Sequence, residues 1–319
     1  MRDRRTTILW WIIAAYFLVA LGTTLLDHPI PALSVVLLVV ITTMHALRRY
    51  SVTAFIAFAV IAFVVSNSYE NLSVLTGFPF GDYYYTDVLG PKLFLVPALI
   101  APSYFASGYF AWSIAHILLG IFGARPRGRD IFFLPLIASF VMVMWDLIMD
   151  PITSTVMGSW IWEDGGGYFG VPFLNFMGWF LCVYTIFQLF AVYVAKRDSA
   201  VRLEELETRT ANRNHWYQVI VAYFTTSLPW TLRSVTQGDA IATDPVGQQW
   251  HTLDIYHSMT LVAIFTMWFV SLLSVLLVSR AEKLDGVQGE RSSGNAFVAQ
   301  ERSQTFSHSR QSSRSRSGL

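Results

Sequence analysis

Asp146 and Asp150 stand one helical turn apart in the segment WDLIMDP, and Glu163, Asp164 and Asn175 follow before the stretch closes at Trp179. Trp145, Trp160, Trp162 and Trp179 punctuate the same stretch, which lies between two long apolar runs. At i and i+4 the two aspartates share one face of a helix, and Glu70 closes another apolar run just before TGFPFGDYYYTDVLGPK. Carboxylates crowded into an apolar setting cannot all ionise. They share protons, and at least one stays protonated near neutral pH. A neutral carboxylic acid is a proton donor, so the chemistry suggested first is protonation of a substrate. Tyr83, Tyr85, Trp145, Trp160, Trp162, Tyr168 and Trp179 offer π faces that stabilise a cation. The same residues also fit a structural account: Asp150 caps the turn at Pro151, Asp146 bonds a neighbouring helix, and the aromatic side chains form an interfacial belt.

The elements that must position these groups are apolar helices. Hydrophobic residues make up 54% of the chain and charged residues 13%, about half the charged share of a soluble domain. The composition therefore indicates an all-α, polytopic membrane helix bundle. Apolar runs long enough to cross a bilayer place eight transmembrane helices near residues 8–26, 30–47, 51–69, 96–122, 131–149, 173–195, 214–232 and 255–279. Pro97 and Pro102 imply a kinked or re-entrant start to the fourth, and Pro229 interrupts the seventh. Of the 22 Lys and Arg residues, all but Lys92 and Arg233 fall in segments that alternate to one side. By the positive-inside rule this puts both termini in the cytoplasm and both carboxylate-bearing stretches on the far side. Asp146 then sits about 24 Å along its helix from Asp130, in the outer half of the bilayer. Residues 1–284 are expected to form the catalytic membrane domain, and residues 285–319, rich in Ser and Arg, a disordered cytoplasmic tail. Residues 196–213 read as a short solvated interfacial helix, and the Gly and Pro clusters near 77–91 and 165–172 as tight loops folded back over the bundle.

Other chemistries find less support. The lone Cys182 leaves no internal disulfide and no cysteine metal cluster. His251, Asp254 and His257 recur every three residues, but on a helix the outer two diverge by about 120°, so no metal site is expected. His28, His45 and His116 are isolated in sequence, which argues against haem ligation, and no Lys lies inside a helix to form a Schiff base. The Gly165–Gly167 run lacks the Lys-Ser/Thr of a phosphate loop. The basic tail suits attraction to anionic lipid rather than nucleic-acid binding.

Thr76 to Pro97, preceded by Glu70, together with WDLIMDP and GSWIWEDGGGYFGVPFLNFMGW, resembles the membrane-integral carotenoid 1,2-hydratases, the family of the bisanhydrobacterioruberin and γ-carotene hydratases. The resemblance implies addition of water to the terminal isopropylidene double bond of an acyclic carotenoid such as lycopene, giving a tertiary alcohol without a cofactor. It implies a multi-pass protein of the cell membrane whose partners are a lipophilic carotenoid, the bilayer and other membrane enzymes of the pathway. In this scheme Asp150 or Asp146 protonates the carbon bearing one hydrogen, and Glu70 or the other aspartate takes the proton from water. Tyr83, Tyr85, Trp160, Trp162 and Trp179 surround the polyene end, while Asn175 and Glu163 hold the loop or the water. The rival readings are a membrane lycopene cyclase, a proton-coupled carrier and a non-catalytic carotenoid-binding protein.

Overall fold

In the computed structural model, which describes residues 4–27, 29–123, 125–197 and 213–281, a helix stands at each of the eight expected windows. They are α1 (Arg4–Leu25), α2 (Pro31–Ala46), α3 (Val52–Thr76), α4 (Ile100–Leu118), α5 (Asp130–Pro151), α6 (Phe173–Arg197), α7 (Arg213–Thr225) and, after two short helices, α10 (Thr252–Ala263), which runs on through a π-helical turn at Ile264–Trp268. Only five are long and apolar enough to cross a membrane, namely α1, α3, α5, α6 and the span Thr252–Ala281 built on α10. Their outer faces carry bare apolar side chains, among them Trp11, Leu18, Phe132 and Phe265. Water would penalise such a surface and lipid does not. The expected tail at 285–319 and the interfacial helix within 196–213 lie outside the described residues, apart from the last turn of α6 and the first residue of α7. Met1–Val275 forms one compact unit, to which the account below is confined.

Three of the eight windows depart from the simple spanning pattern, each for a visible reason. Helix α2 is apolar but has only 16 residues, about 24 Å of rise against a hydrocarbon core of about 30 Å. Helix α4 is the centre of the bundle: Tyr109, Phe110, Trp112 and Ile114 are all fully buried, and α2, α3, α5 and α7 pack around it. Protein rather than lipid covers it, so it tolerates Ser103, Tyr104, Ser107, Ser113 and His116. Pro97 belongs to a small hairpin, β2 (Lys92–Leu93) with β3 (Val96–Pro97), and Pro102 falls in the first turn of α4, where its missing N–H costs nothing. The window at 214–232 is broken after Thr225; α8 (Leu228–Thr231), with Pro229 in its first turn, and α9 (Arg233–Thr236) replace the last part of a single helix.

Helix α5 carries two prolines inside it, Pro135 and Pro151. Each removes a donor from the helix and frees the carbonyl four residues earlier. Both carbonyls are rescued by side chains. Gln188 Nε2 of α6 donates to Ile131 O at 3.2 Å, and the Tyr168 hydroxyl donates to Leu147 O at 3.2 Å. Beyond Pro151 the chain winds into a π-helical turn, Ile152–Val156, before leaving the bundle. A close approach on α6 completes the frame: a Cβ at Gly178 would overlap Phe80 and the Pro79 carbonyl, so only glycine lets the 78–81 turn lie against the helix.

One other expectation is corrected by packing. His45 is not isolated: its ring stacks on His215 at 3.7 Å, its Nε2 donates to His215 O at 2.7 Å, and its Nδ1 lies 2.6 Å from the Tyr109 hydroxyl. His251 Nδ1 lies 2.7 Å from Asp239 Oδ2, at the base of a hairpin formed by β5 (Ile241–Thr243) and β6 (Gln249–His251).

Replacing Gln188 by Leu keeps the volume but leaves the partly buried Ile131 carbonyl without its donor. We expect a loss of about 1–3 kcal/mol, read as a lowered thermal midpoint in detergent, with Tyr168→Phe behaving alike. Unchanged midpoints in both would remove the carbonyl-rescue account.

Candidate active site

Period-two alternation builds the site. Tyr83, Tyr84 and Tyr85 form β1, Trp160, Ile161 and Trp162 form β4, and the two pair antiparallel with Tyr83 opposite Trp162 and Tyr85 opposite Trp160. Successive side chains of a strand face opposite ways. Tyr83, Tyr85, Trp160 and Trp162 therefore turn inward and are buried, while Tyr84 is exposed. The ladder continues at both ends through Glu163 N to Asp82 O at 2.9 Å and Thr86 N to Ser159 O at 3.1 Å, and Lys92 Nζ donates to Tyr85 O at 2.6 Å. Inside the ribbon, Tyr83 and Trp162 have ring centroids 4.7 Å apart and Tyr85 and Trp160 5.9 Å apart.

This inner face supplies donors to two carboxylates on two different helices. Glu70 of α3 receives the hydroxyls of Tyr83 and Tyr85 on Oε2, the latter at 2.9 Å, and that of Tyr104 on Oε1 at 2.8 Å. Asp150 of α5 receives Trp160 Nε1 at 2.9 Å and Trp162 Nε1 at 3.3 Å on Oδ1. Asn175, near the start of α6, uses its single amide nitrogen to bridge the aspartates, at 2.6 Å from Asp150 Oδ2 and 3.1 Å from Asp146 Oδ2. The three carboxylates are 0–3% exposed. Among the described residues no Lys or Arg pairs with any of them, so neutral O–H and N–H donors offset their desolvation. Asp146 Oδ1 and Trp145 Nε1 remain buried without a hydrogen-bond partner.

A partly open cavity of about 320 Å³ lies against this cluster. Glu70, Tyr83, Tyr85, Trp145, Asp150, Trp160, Trp162, Asn175 and Trp179, all singled out in the sequence, line it. Three others do not. Asp146 sits one turn behind Asp150 and reaches the cluster through Asn175. Tyr168 is committed to the Leu147 carbonyl on the other side of α5, with Met259 Sδ 3.7 Å from its hydroxyl. Glu163 is exposed at the ribbon's outer end, where only its backbone joins the ladder. Conversely, Tyr104 was not anticipated. It stacks on Trp179 with ring centroids 4.4 Å apart while donating to Glu70; inside an apolar helix window it carries no local signal beyond being a tyrosine.

Comparison with known proteins follows from this geometry. A family model described as carotenoid biosynthesis protein matches residues 30–243, which include the ribbon, all three carboxylates and Asn175. A bisanhydrobacterioruberin hydratase from Haloarcula japonica is 33% identical over 113 residues, 35% of this chain and 36% of that protein. The aligned region therefore spans about a third of that relative's length. No solved structure matches the chain.

If Tyr104 donates to an ionised Glu70, a double-mutant cycle of Tyr104→Phe with Glu70→Gln should give a coupling energy of about 1.5–3 kcal/mol, measured by denaturation in detergent. A coupling near zero would mean that the contact carries no charge-assisted bond.

Proposed function

The chain belongs to the carotenoid biosynthesis protein family, and from that premise we propose that it is a carotenoid hydratase of the cell membrane, adding water to the C1,2 double bond of an acyclic carotenoid end. The observation that carries this reading is a cavity lined by two separately supported carboxylates, Asp150 and Glu70, together with the rings of Tyr83, Tyr85, Trp160, Trp162 and Trp179. The proposed setting is eight membrane passes with both termini on the cytoplasmic side, which the distribution of Lys and Arg supports.

Three buried carboxylates without a cation cannot all be charged at neutral pH, so one of them keeps a proton. Asp150 faces the cavity and is the donor: its proton goes to the alkene carbon bearing one hydrogen, and a tertiary cation forms on the neighbouring carbon. The rings of Trp160, Trp162 and Tyr83 face that charge. Water adds to the cation, its oxygen forming the new C–O bond, and its surplus proton passes to Glu70, the other cavity-facing carboxylate. Asp146, out of reach of the cavity, acts through Asn175 as a positioning residue. No step needs a redox change, since protonation and water addition balance.

Expression in a non-pigmented host that makes lycopene, and in parallel one that makes a C50 acyclic carotenoid, should yield pigment heavier by one water and then by two. Asp150→Asn is expected to abolish turnover while the protein still purifies as a folded species. Isomerised pigment of unchanged mass would instead indicate a cyclase, and unaltered pigment in both hosts would sink the reading.

A further inference from the structure

The same cavity touches a polar group that the proposed reaction does not use. Arg233, the first residue of α9, lines it and is the one Lys or Arg that does so among the described residues. Its side chain is 7% exposed to solvent. Its Nε has no hydrogen-bond partner. Nη1 makes a single long contact, 3.4 Å from Asp27 Oδ1, and the Asp27 side chain is 59% exposed. Contact with a solvated carboxylate at that distance returns little of what a guanidinium loses on leaving water. A buried, unpaired Nε donor is thus carried by a side chain that lines the cavity.

Depth in the membrane narrows what could fill it. Asp27 lies two residues beyond Leu25, the end of the spanning helix α1. The Arg233–Asp27 contact is therefore at the level of the lipid headgroups, whose phosphates are the anions available there. The cavity lining also includes Pro29, Ile30, Leu99, Ile100 and Trp230, interrupted by Thr23, Thr24 and Thr226. An anionic group joined to a hydrocarbon chain matches both features, and guanidinium presents paired N–H groups in the geometry of a phosphate edge.

We propose that Arg233 anchors the phosphate of a membrane phospholipid, one acyl chain of which enters the cavity when no substrate end occupies it. The anchoring stands on the cavity and the spanning helices; only the alternation with a substrate end rests on the hydratase reading. Free phosphate shares the chemistry of the head but not of the chain, so the test separates them.

Wild-type protein, Arg233→Gln, Arg233→Lys and Asp27→Asn would be purified in a phosphorus-free detergent, washed and extracted, and the phosphorus per chain counted in the organic and aqueous phases. Stoichiometric organic-phase phosphorus is expected for the wild type, retained in Asp27→Asn, reduced in Arg233→Lys, with a roughly tenfold loss in Arg233→Gln. A second measurement needs no variant. Native mass spectrometry of wild-type protein exposed to phosphatidylglycerol, or to diacylglycerol of the same chains, should retain only the former. Phosphorus confined to the aqueous phase would assign the site to free phosphate and overturn the lipid. Equal lipid phosphorus in wild type and Arg233→Gln, or equal retention of diacylglycerol, would overturn Arg233 as the anchor.

Discussion

Burying carboxylates among helices without a cation sets the terms for everything around them. A Lys or Arg beside Glu70 or Asp150 would neutralise the charge in one contact but would also fix the carboxylate as an anion. This protein uses neutral donors instead, three phenols on one side and two indoles with an amide on the other. Such donors offset desolvation in part and leave the proton free to move. Because four of the donors come from one two-stranded ribbon, the ribbon cannot be treated as a loop covering the site. It is the site's wall, and its register determines which side chains reach the carboxylates.

Holding that wall in place requires α3, α5 and α6 to keep fixed positions at one end of the bundle. On α3, Ser73 Oγ accepts from Phe80 N at 3.1 Å and donates to Gly81 O at 3.2 Å, tying the helix to the turn that leads into β1. On α5, Pro151 ends the regular ladder immediately after Asp150. The π-helical turn then redirects the chain toward β4, and Ser154 Oγ bonds the Asp150 carbonyl at 2.8 Å. Irregular backbone at this depth is tolerated because each freed polar group finds a partner within the protein. The proline that distorts α5 and the tyrosine that repairs it are thus parts of one arrangement.

Much of this was readable from residue types and spacing. The four-residue interval between Asp146 and Asp150, the apolar run ending at Glu70 and the two aromatic stretches pointed to a shared carboxylate site before any coordinates. The alternation in YYY and WIW was the available signal for a ribbon, but a helical bundle with Gly-rich loops masked it, since three-residue strands carry too little pattern to stand out. Tyr168 looked like a cavity residue because it is aromatic and close in sequence; its actual task depends on a carbonyl freed 21 residues earlier. Gln188 and Ile131 are 57 residues apart, and the link between His45 and His215 spans 170. Contacts of that range leave no local trace. Arg233 was conspicuous as a charge on the wrong side of the topology, and its place in the cavity wall gives that anomaly a physical setting.

The burial of α4 has a consequence for how the protein is made. A segment bearing Ser103, Tyr104, Ser107, Ser113 and His116 is not among the spans that qualify by length and composition. Such a segment partitions poorly into lipid by itself. It must be carried in with α3 and α5, the strongly apolar helices on either side of it in the chain, and reach its central position by helix association after insertion. Membrane entry and completion of the carboxylate site are therefore coupled through α4, because Tyr104 arrives at Glu70 only when that last packing step is made.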